Sequence, residues 1–259
     1  MNLMFKPNTA KQTMSLGRSF VRNSGIVGRT FASATRQSPI DLKPEEVHAE
    51  IDINLSTQYR DIENGKLNLD GRALITYYDG GNMNFKSYHT TSEWQSLQFH
   101  FHAPSEHTID GKYYDAEMHM VFQGITHKEE LAVVGILFEA CEDAPKDQFL
   151  ESLQLHKLAQ PSSETEIAHA SPGNLFDRVG SDENFHYQGS LTTPDYDECV
   201  QWFVFDKPLK VPPSQIKDME EFWSDMNCEG CVQGNARHLQ TVGSRVIHKV
   251  KHTCKGRVS

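Results

Sequence analysis

Two histidines stand one residue apart in Gln98-Phe99-His100-Phe101-His102, and a third stands in Ala116-Glu117-Met118-His119-Met120. On a strand, side chains alternate between faces, so His100 and His102 share one face and Phe99 and Phe101 the other. Between the two segments lies Thr108-Ile109-Asp110-Gly111-Lys112, whose Asp-Gly predicts a tight turn. Folding there brings His119 beside the other pair. Three imidazoles with a fourth position open is how a catalytic zinc is held. Three neutral ligands leave the ion's charge uncancelled, so a water on it gives up its proton far more readily than free water and becomes a nucleophile. Glu117 shares a face with His119, and Gln98 with His100; each is placed to take a ring N–H and orient that imidazole. Imidazole also suits copper, cobalt, nickel and iron, so the spacing alone leaves the metal open.

Residues 98–122 resemble the zinc-binding hairpin of the alpha-class carbonic anhydrases. Other segments resemble that family in the same order: Gln37-Ser38-Pro39-Ile40-Asp41, the inner strand Leu131-Ala132-Val133-Val134-Gly135-Ile136, Gly189-Ser190-Leu191-Thr192-Thr193-Pro194 with Glu198-Cys199-Val200-Gln201-Trp202 after it, and Asn235-Ala236-Arg237. The resemblance covers about residues 37–245. It implies zinc on His100, His102 and His119, and reversible hydration of carbon dioxide to bicarbonate and a proton. It implies that Thr192 accepts a hydrogen bond from the zinc-bound hydroxide and donates its own proton to Glu106, while its backbone N–H holds a substrate oxygen. Val121, Val133, Leu191, Val200 and Trp202 become the apolar wall for carbon dioxide, with Thr193 at the same pocket. His107 becomes a buried structural histidine, and Asn235 and Arg237 support the ligands from behind.

The chain also departs from that pattern. Efficient members carry a histidine near the cavity mouth that ferries the proton out. Counting without gaps, Arg72 occupies that position, and a guanidinium stays protonated and cannot relay a proton. Slow proton release is therefore expected. A register shift would put Lys66 there instead, and His89 is another candidate. Residues 1–36 lack the Trp and Tyr usual before the Gln-Ser-Pro-Ile segment, and Ala236 stands where a Trp is usual.

Charge divides the chain into three. Residues 1–36 hold six Lys or Arg and no acid, residues 245–259 hold five and no acid, and between them 14 basic residues face 35 acidic ones, a formal charge of −21. Such a split predicts a basic head (1–36), an acidic catalytic domain (37–245) and a basic tail (246–259), the ends meeting partner proteins or folding onto the acidic body. The acidic body argues against nucleic acid. The head is rich in Arg, Ser and Thr with scattered apolar residues, the composition of a mitochondrial transit peptide; a retained docking arm of a larger assembly at or near a mitochondrial membrane, and a cytoplasmic protein with a basic tail, are the alternatives. No apolar run approaches the ~20 residues of a membrane-spanning helix. Five cysteines fit a reducing compartment. Cys228-Glu229-Gly230-Cys231 is a lone C-x-x-C, expected in a loop rather than at a zinc or redox site.

Strand-like alternation dominates from 47 to 140. A helix is expected from Pro145 to Leu158, and another from Pro213 to Trp223 with Ser214 as N-cap. These signals predict a mainly β domain with a few peripheral helices; the resemblance adds a single large, twisted, mostly antiparallel central sheet. Two other functions compete: an inactive scaffold subunit that keeps the fold, and a cupin-type metal oxygenase, in which Glu106 would join His100 and His102 as a ligand.

Overall fold

A buried sheet needs apolar residues on both faces, and the strands that carry the histidines have them. The computed structural model describes residues 36–69, 74–78, 80–86, 91–158, 164–179, 182–223, 231 and 234–257. The head up to residue 35, together with Arg72, His89 and Cys228, lies outside the described residues. In chain order the strands are β1 (Asp41–Leu42), β2 (His48–Tyr59), β3 (Ile62–Leu69), β4 (Leu74–Tyr77), β5 (Gly81–Lys86), β6 (Thr91–His102), β7 (Thr108–Ile109), β8 (Ala116–Gly124), β9 (Leu131–Ala140), β10 (Glu164–Ala170), β11 (Glu183–Gly189), β12 (Val200–Phe205), β13 (Leu209–Val211) and β14 (His248–Arg257). The helices are α1 (Gln148–Leu153), α2 (Pro172–Val179) and α3 (Pro213–Trp223).

Twelve of these strands form one sheet in the order β10-β3-β4-β6-β5-β2-β14-β11-β12-β9-β13, with β8 paired to both β6 and β9. Most pairs are antiparallel; β14 runs parallel to β2, and β12 and β13 run parallel to β9. The mainly β, mostly antiparallel reading therefore holds. No described helix is long and apolar enough to cross a membrane.

Alternation along β6 and β8 feeds two separate cores. Phe99, Phe101, Met118, Met120 and Phe122 join Trp94, Phe149 and Trp223 in the larger one. Val121 joins Val133, Leu137, Tyr187, Val200, Trp202 and Val204 in the other. Each such side chain contributes about 1.5–3 kcal/mol on burial. A one-residue slip would send every apolar side chain of β8 to the wrong core, so the register is strongly fixed.

Three expectations need correction. The helix expected from 145 begins later and breaks early. Asp147 caps α1, accepting the Leu150 N–H at 3.0 Å, and Gln154 turns left-handed (φ 52°) before one 3₁₀ turn over Leu155–Lys157. Helix α3 starts at Pro213, so Ser214 lies inside it and is not its cap. The third is the boundary set at residue 246, since the tail takes one of its two expected courses: residues 248–257 are strand β14, inserted between β2 and β11. Val250 and His252 face the core, while Lys249 reaches Asp206 at 2.6 Å and Glu183 at 3.2 Å. The tail thus folds onto the acidic body as a central strand.

The larger core also buries imidazoles. His252 Nε2 pairs with Thr57 Oγ1 at 2.8 Å against Phe205, and His186 Nδ1 donates to the Trp202 carbonyl at 2.9 Å while stacking on Phe203. Loss of hydration lowers both from the ordinary 6.5 to about 4. Below pH 6.5 the unfolded chain binds the extra protons, so this stability is present above 6.5 and drains away toward pH 4. Urea midpoints should fall across that window. His252→Gln should flatten the slope by up to ~1.4 kcal/mol per pH unit; an unchanged slope would show that His252 is charged in the fold.

Candidate metal centre

In the β6–β8 pair His100 lies opposite His119, and His102 lies opposite Glu117. The Asp-Gly turn forms as expected, with φ of 50° at Asp110 and 74° at Gly111 and Ile109 and Lys112 hydrogen-bonded across it. Both positive φ values match a type I′ turn, which glycine adopts without strain. The ring centroids of the three histidines lie 4.6 to 5.1 Å apart. One nitrogen from each ring falls within 4.8 Å of the others.

The outward nitrogens settle which inward ones are free. His100 Nδ1 donates to Gln98 Oε1 at 3.0 Å, His102 Nδ1 to the Asn235 carbonyl at 3.3 Å, and His119 Nε2 to Glu117 Oε1 at 2.9 Å. That leaves lone pairs on Nε2 of His100, Nε2 of His102 and Nδ1 of His119. His119 Nδ1 sits 3.3 Å from His100 Nε2, and His102 Nε2 is buried without a hydrogen-bond partner. Three lone pairs facing one another repel unless a cation lies between them. Burial holds all three imidazoles below the ordinary histidine range, His102 at about 4, so they are neutral, as a metal ligand must be. This donor set fits zinc.

Behind the ligands, Glu117 is fully buried and takes four donors. Oε1 accepts from His119 Nε2 and from His107 Nδ1 at 2.8 Å; Oε2 accepts the backbone N–H of Glu106 and of His107, each at 2.8 Å. Burial pushes its pKa up, but His107, His119 and these bonds outweigh that and hold it well below the usual range. His107 Nε2 is bound by the Tyr187 hydroxyl at 2.7 Å, which also meets Ser38 Oγ. Tyr187 and Ser38 were not singled out from the sequence; the alternation Phe185-x-Tyr187-x-Gly189, which puts Tyr187 on the face of Trp202, was the available signal.

Glu106 Oε1 accepts the Arg237 backbone N–H at 2.9 Å. Its Oε2 lies 3.5 Å from His102 Nε2, and Thr192 faces the same carboxyl. Burial raises Glu106 to about 7, opposed by His119, Thr192 and the Arg237 amide. Arg237 does more: its guanidinium donates to the Ser38 carbonyl and to Gln37 Oε1 and stacks on Tyr196 at 3.7 Å. Val121, Val133, Val200 and Trp202 belong to one apolar cluster, with half-buried Leu191 packed against it. Thr193 is exposed. Arg72, assigned to the shuttle position, lies outside the described residues.

Glu117→Gln replaces one acceptor oxygen by an NH₂ that must face a donor. His119 or His107 then has to turn or change tautomer. Zinc affinity, measured by chelator competition, should drop about 10- to 100-fold; equal affinity would remove Glu117 from the support of His119.

The family model for eukaryotic-type carbonic anhydrase matches residues 28–251. The chain is 31% identical to alpha carbonic anhydrase 7 of Arabidopsis thaliana over 82% of this chain and 73% of that one. It is 29% identical to a carbonic anhydrase of Nostoc sp. over 82% of this chain and 75% of the relative. Among solved structures, carbonic anhydrase Cah3 from Chlamydomonas reinhardtii in complex with acetazolamide superposes with a TM-score of 0.70 at 31% identity, covering 89% of this chain and 99% of that one. That match sets aside the cupin reading, and Glu106 meets Thr192 and the Arg237 amide in the fold. The chain belongs to the eukaryotic-type, alpha-class carbonic anhydrases, the carbonate dehydratases.

Proposed function

We propose that this chain hydrates carbon dioxide reversibly with zinc held by His100 Nε2, His102 Nε2 and His119 Nδ1. The observation that carries the reading is the convergence of those three lone pairs beside the apolar cluster of Val121, Val133, Val200 and Trp202. Bound there, zinc supplies Lewis acidity that lets water serve as a nucleophile near neutral pH, as is established for the family. The remaining work belongs to side chains. Glu106, fixed by the Arg237 amide, accepts a hydrogen bond from the Thr192 hydroxyl. Thr192 Oγ1 then has only a lone pair to offer the attacking oxygen, and this orients the attack. The Thr192 backbone N–H donates to the substrate oxygen on which charge develops. Carbon dioxide has no net dipole, so Val121, Val133, Leu191, Val200 and Trp202 hold it by dispersion. The same wall solvates bicarbonate poorly, which favours its release. With Arg72 unable to relay a proton, proton transfer to buffer limits the rate.

The composition of residues 1–36 supports import into mitochondria; a reporter fused to those residues that stays in the cytoplasm would refute that compartment.

Stopped-flow hydration on the full-length, zinc-loaded protein tests the reaction. One zinc per chain and activity abolished by a sulfonamide are expected, with Thr192→Ala losing about 10²-fold in kcat/KM. One zinc without activity would leave the scaffold reading instead. Arg72→His should raise kcat at low buffer and leave kcat/KM unchanged, whereas a wild-type rate indifferent to buffer would end the slow-transfer proposal.

A further inference from the structure

Two arginines from distant parts of the chain settle on one residue of β11. Arg36 Nη1 donates to the Gln188 side-chain carbonyl at 3.0 Å, and Arg245 Nη1 donates to the Gln188 backbone carbonyl at 3.3 Å. Both line a cavity of about 230 Å³, together with Tyr187, His186 and His248. None of these residues is a metal ligand, and the hydration chemistry leaves the cavity unused.

Like charges drawn this close repel unless negative charge lies near both. Arg36 has such a partner. Glu198 Oε2 lies 3.5 Å from its Nε, and Glu198 Oε1 is further committed to the Arg36 backbone N–H at 2.9 Å and to Gln37 Nε2 at 3.0 Å. Among the described residues, no carboxylate lies at ion-pair distance from Arg245. Its half-buried guanidinium gives Nε to the Val242 carbonyl at 2.9 Å and Nη2 to the Thr241 carbonyl at 2.6 Å, and it stands 5.4 Å over the Tyr187 ring. Carbonyl dipoles and a ring face answer a full charge only in part. Burial lowers the Arg245 pKa; Tyr187 and Glu198 oppose this, and Arg36 adds to it. The flanking sequence brings no acidic side chain, since residues 1–36 and 245–259 hold no Asp or Glu. Donors are also left over. A guanidinium has five N–H groups. Arg36 commits three, the third to the Glu198 carbonyl at 3.4 Å, and Arg245 commits three, so two remain on each.

We propose that this cavity binds a small oxyanion, of the carboxylate, bicarbonate or phosphate kind, whose oxygens meet the open N–H groups of Arg36 and Arg245. A guanidinium fork matches a face of two oxygens, and hydrogen bonds between ions are the strong ones. The bound charge relieves the repulsion between the two arginines. Exposed Val246 also lines the cavity and gives the body of an organic acid an apolar wall. The site is separate from the metal centre and does not depend on which reaction runs there.

The test titrates phosphate, bicarbonate and acetate separately into the full-length, zinc-loaded protein saturated with a sulfonamide, which keeps anions off the metal. Chloride holds the ionic strength constant, and the arginine Nε–H resonances in ¹⁵N spectra are followed. The same titration of zinc-free protein frees the result from the metal reading. Saturable shifts of the Arg36 and Arg245 signals are expected in both samples, and the probe that binds most tightly names the ligand among the three. Arg245→Gln should weaken binding about tenfold or more. Val246→Glu should weaken it as much, because it tethers a carboxylate in the cavity with both arginines in place. That substitution is at an exposed position, so it keeps the test decisive if Arg245→Gln fails to fold. Shifts that do not saturate with any probe overturn the site. Saturable binding that neither variant weakens lies elsewhere on the protein and overturns it too.

Discussion

A carboxylate with no contact with water, Glu117, is tolerable only because four donors surround it. Removing an ion from water costs several kcal/mol unless its charge is matched and its lone pairs are filled. Two of the donors are imidazoles and two are backbone amides of the loop that follows β6. The carboxylate therefore does two jobs at once. It fixes the tautomer of His119, and it pins the backbone of Glu106 and His107 beneath the ligands. His107 passes the constraint on to Tyr187 and Ser38. The ligand geometry is thus set by bonds that lie outside the ligand set.

Arg237 extends this logic to segments far apart in the chain. Its side chain joins the carbonyl of Ser38 to the side chain of Gln37 and the ring of Tyr196, and its amide holds Glu106. Gln37 in turn reaches the Tyr196 carbonyl and Glu198. The Gln-Ser-Pro-Ile segment, the loop after Thr192 and the Asn-Ala-Arg segment are thereby one hydrogen-bonded unit around the metal site. Burial lowers the Arg237 pKa, but the group remains a cation stacked on an aromatic face. Only a forked, rigid donor can serve three partners from one position, which is why a lysine would not replace it.

The metal ligands were legible in the sequence because two strong local rules coincide at them. Period-two alternation puts His100, His102 and His119 on one face, and Asp110-Gly111 dictates the turn between their strands. The supports were legible where they share a strand with a ligand, as Gln98 and Glu117 do. Tyr187 and Ser38 were not, because the contact of Tyr187 with His107 is set by the pairing of β11 with β12, and Ser38 reaches Tyr187 from a loop 149 residues away. Strand β14 was hidden for a different reason. Its inward positions include His252 where an aliphatic residue would announce a buried strand, and its outward positions include Lys249 and Lys251, so the charge pattern read as a tail. Helix α1 was overextended because the apolar spacing from Phe149 to Leu158 continues through Gln154, where the backbone turns left-handed.

Gly135 shows that part of the site is specified by what is missing. It lies opposite His119 on β9, in the middle of a fully buried strand, where glycine is otherwise unfavourable. A Cβ at this position would stand 3.0 Å from Glu117 Oε1 and 3.3 Å from Val204 Cγ2. The carboxylate could yield only by moving away from His119 or His107, since its other oxygen is already committed to two backbone amides. Space for the Glu117 carboxylate and the orientation of the ligand are therefore one constraint, met from two strands. The apolar wall follows from it: with Glu117 and His119 fixed by Gly135, the next inward residue of β8 is Val121, which its antiparallel partner Val133 meets directly, and Trp202 completes the surface from β12. The strand period that aims the histidines at one point also sets a dry surface beside that point.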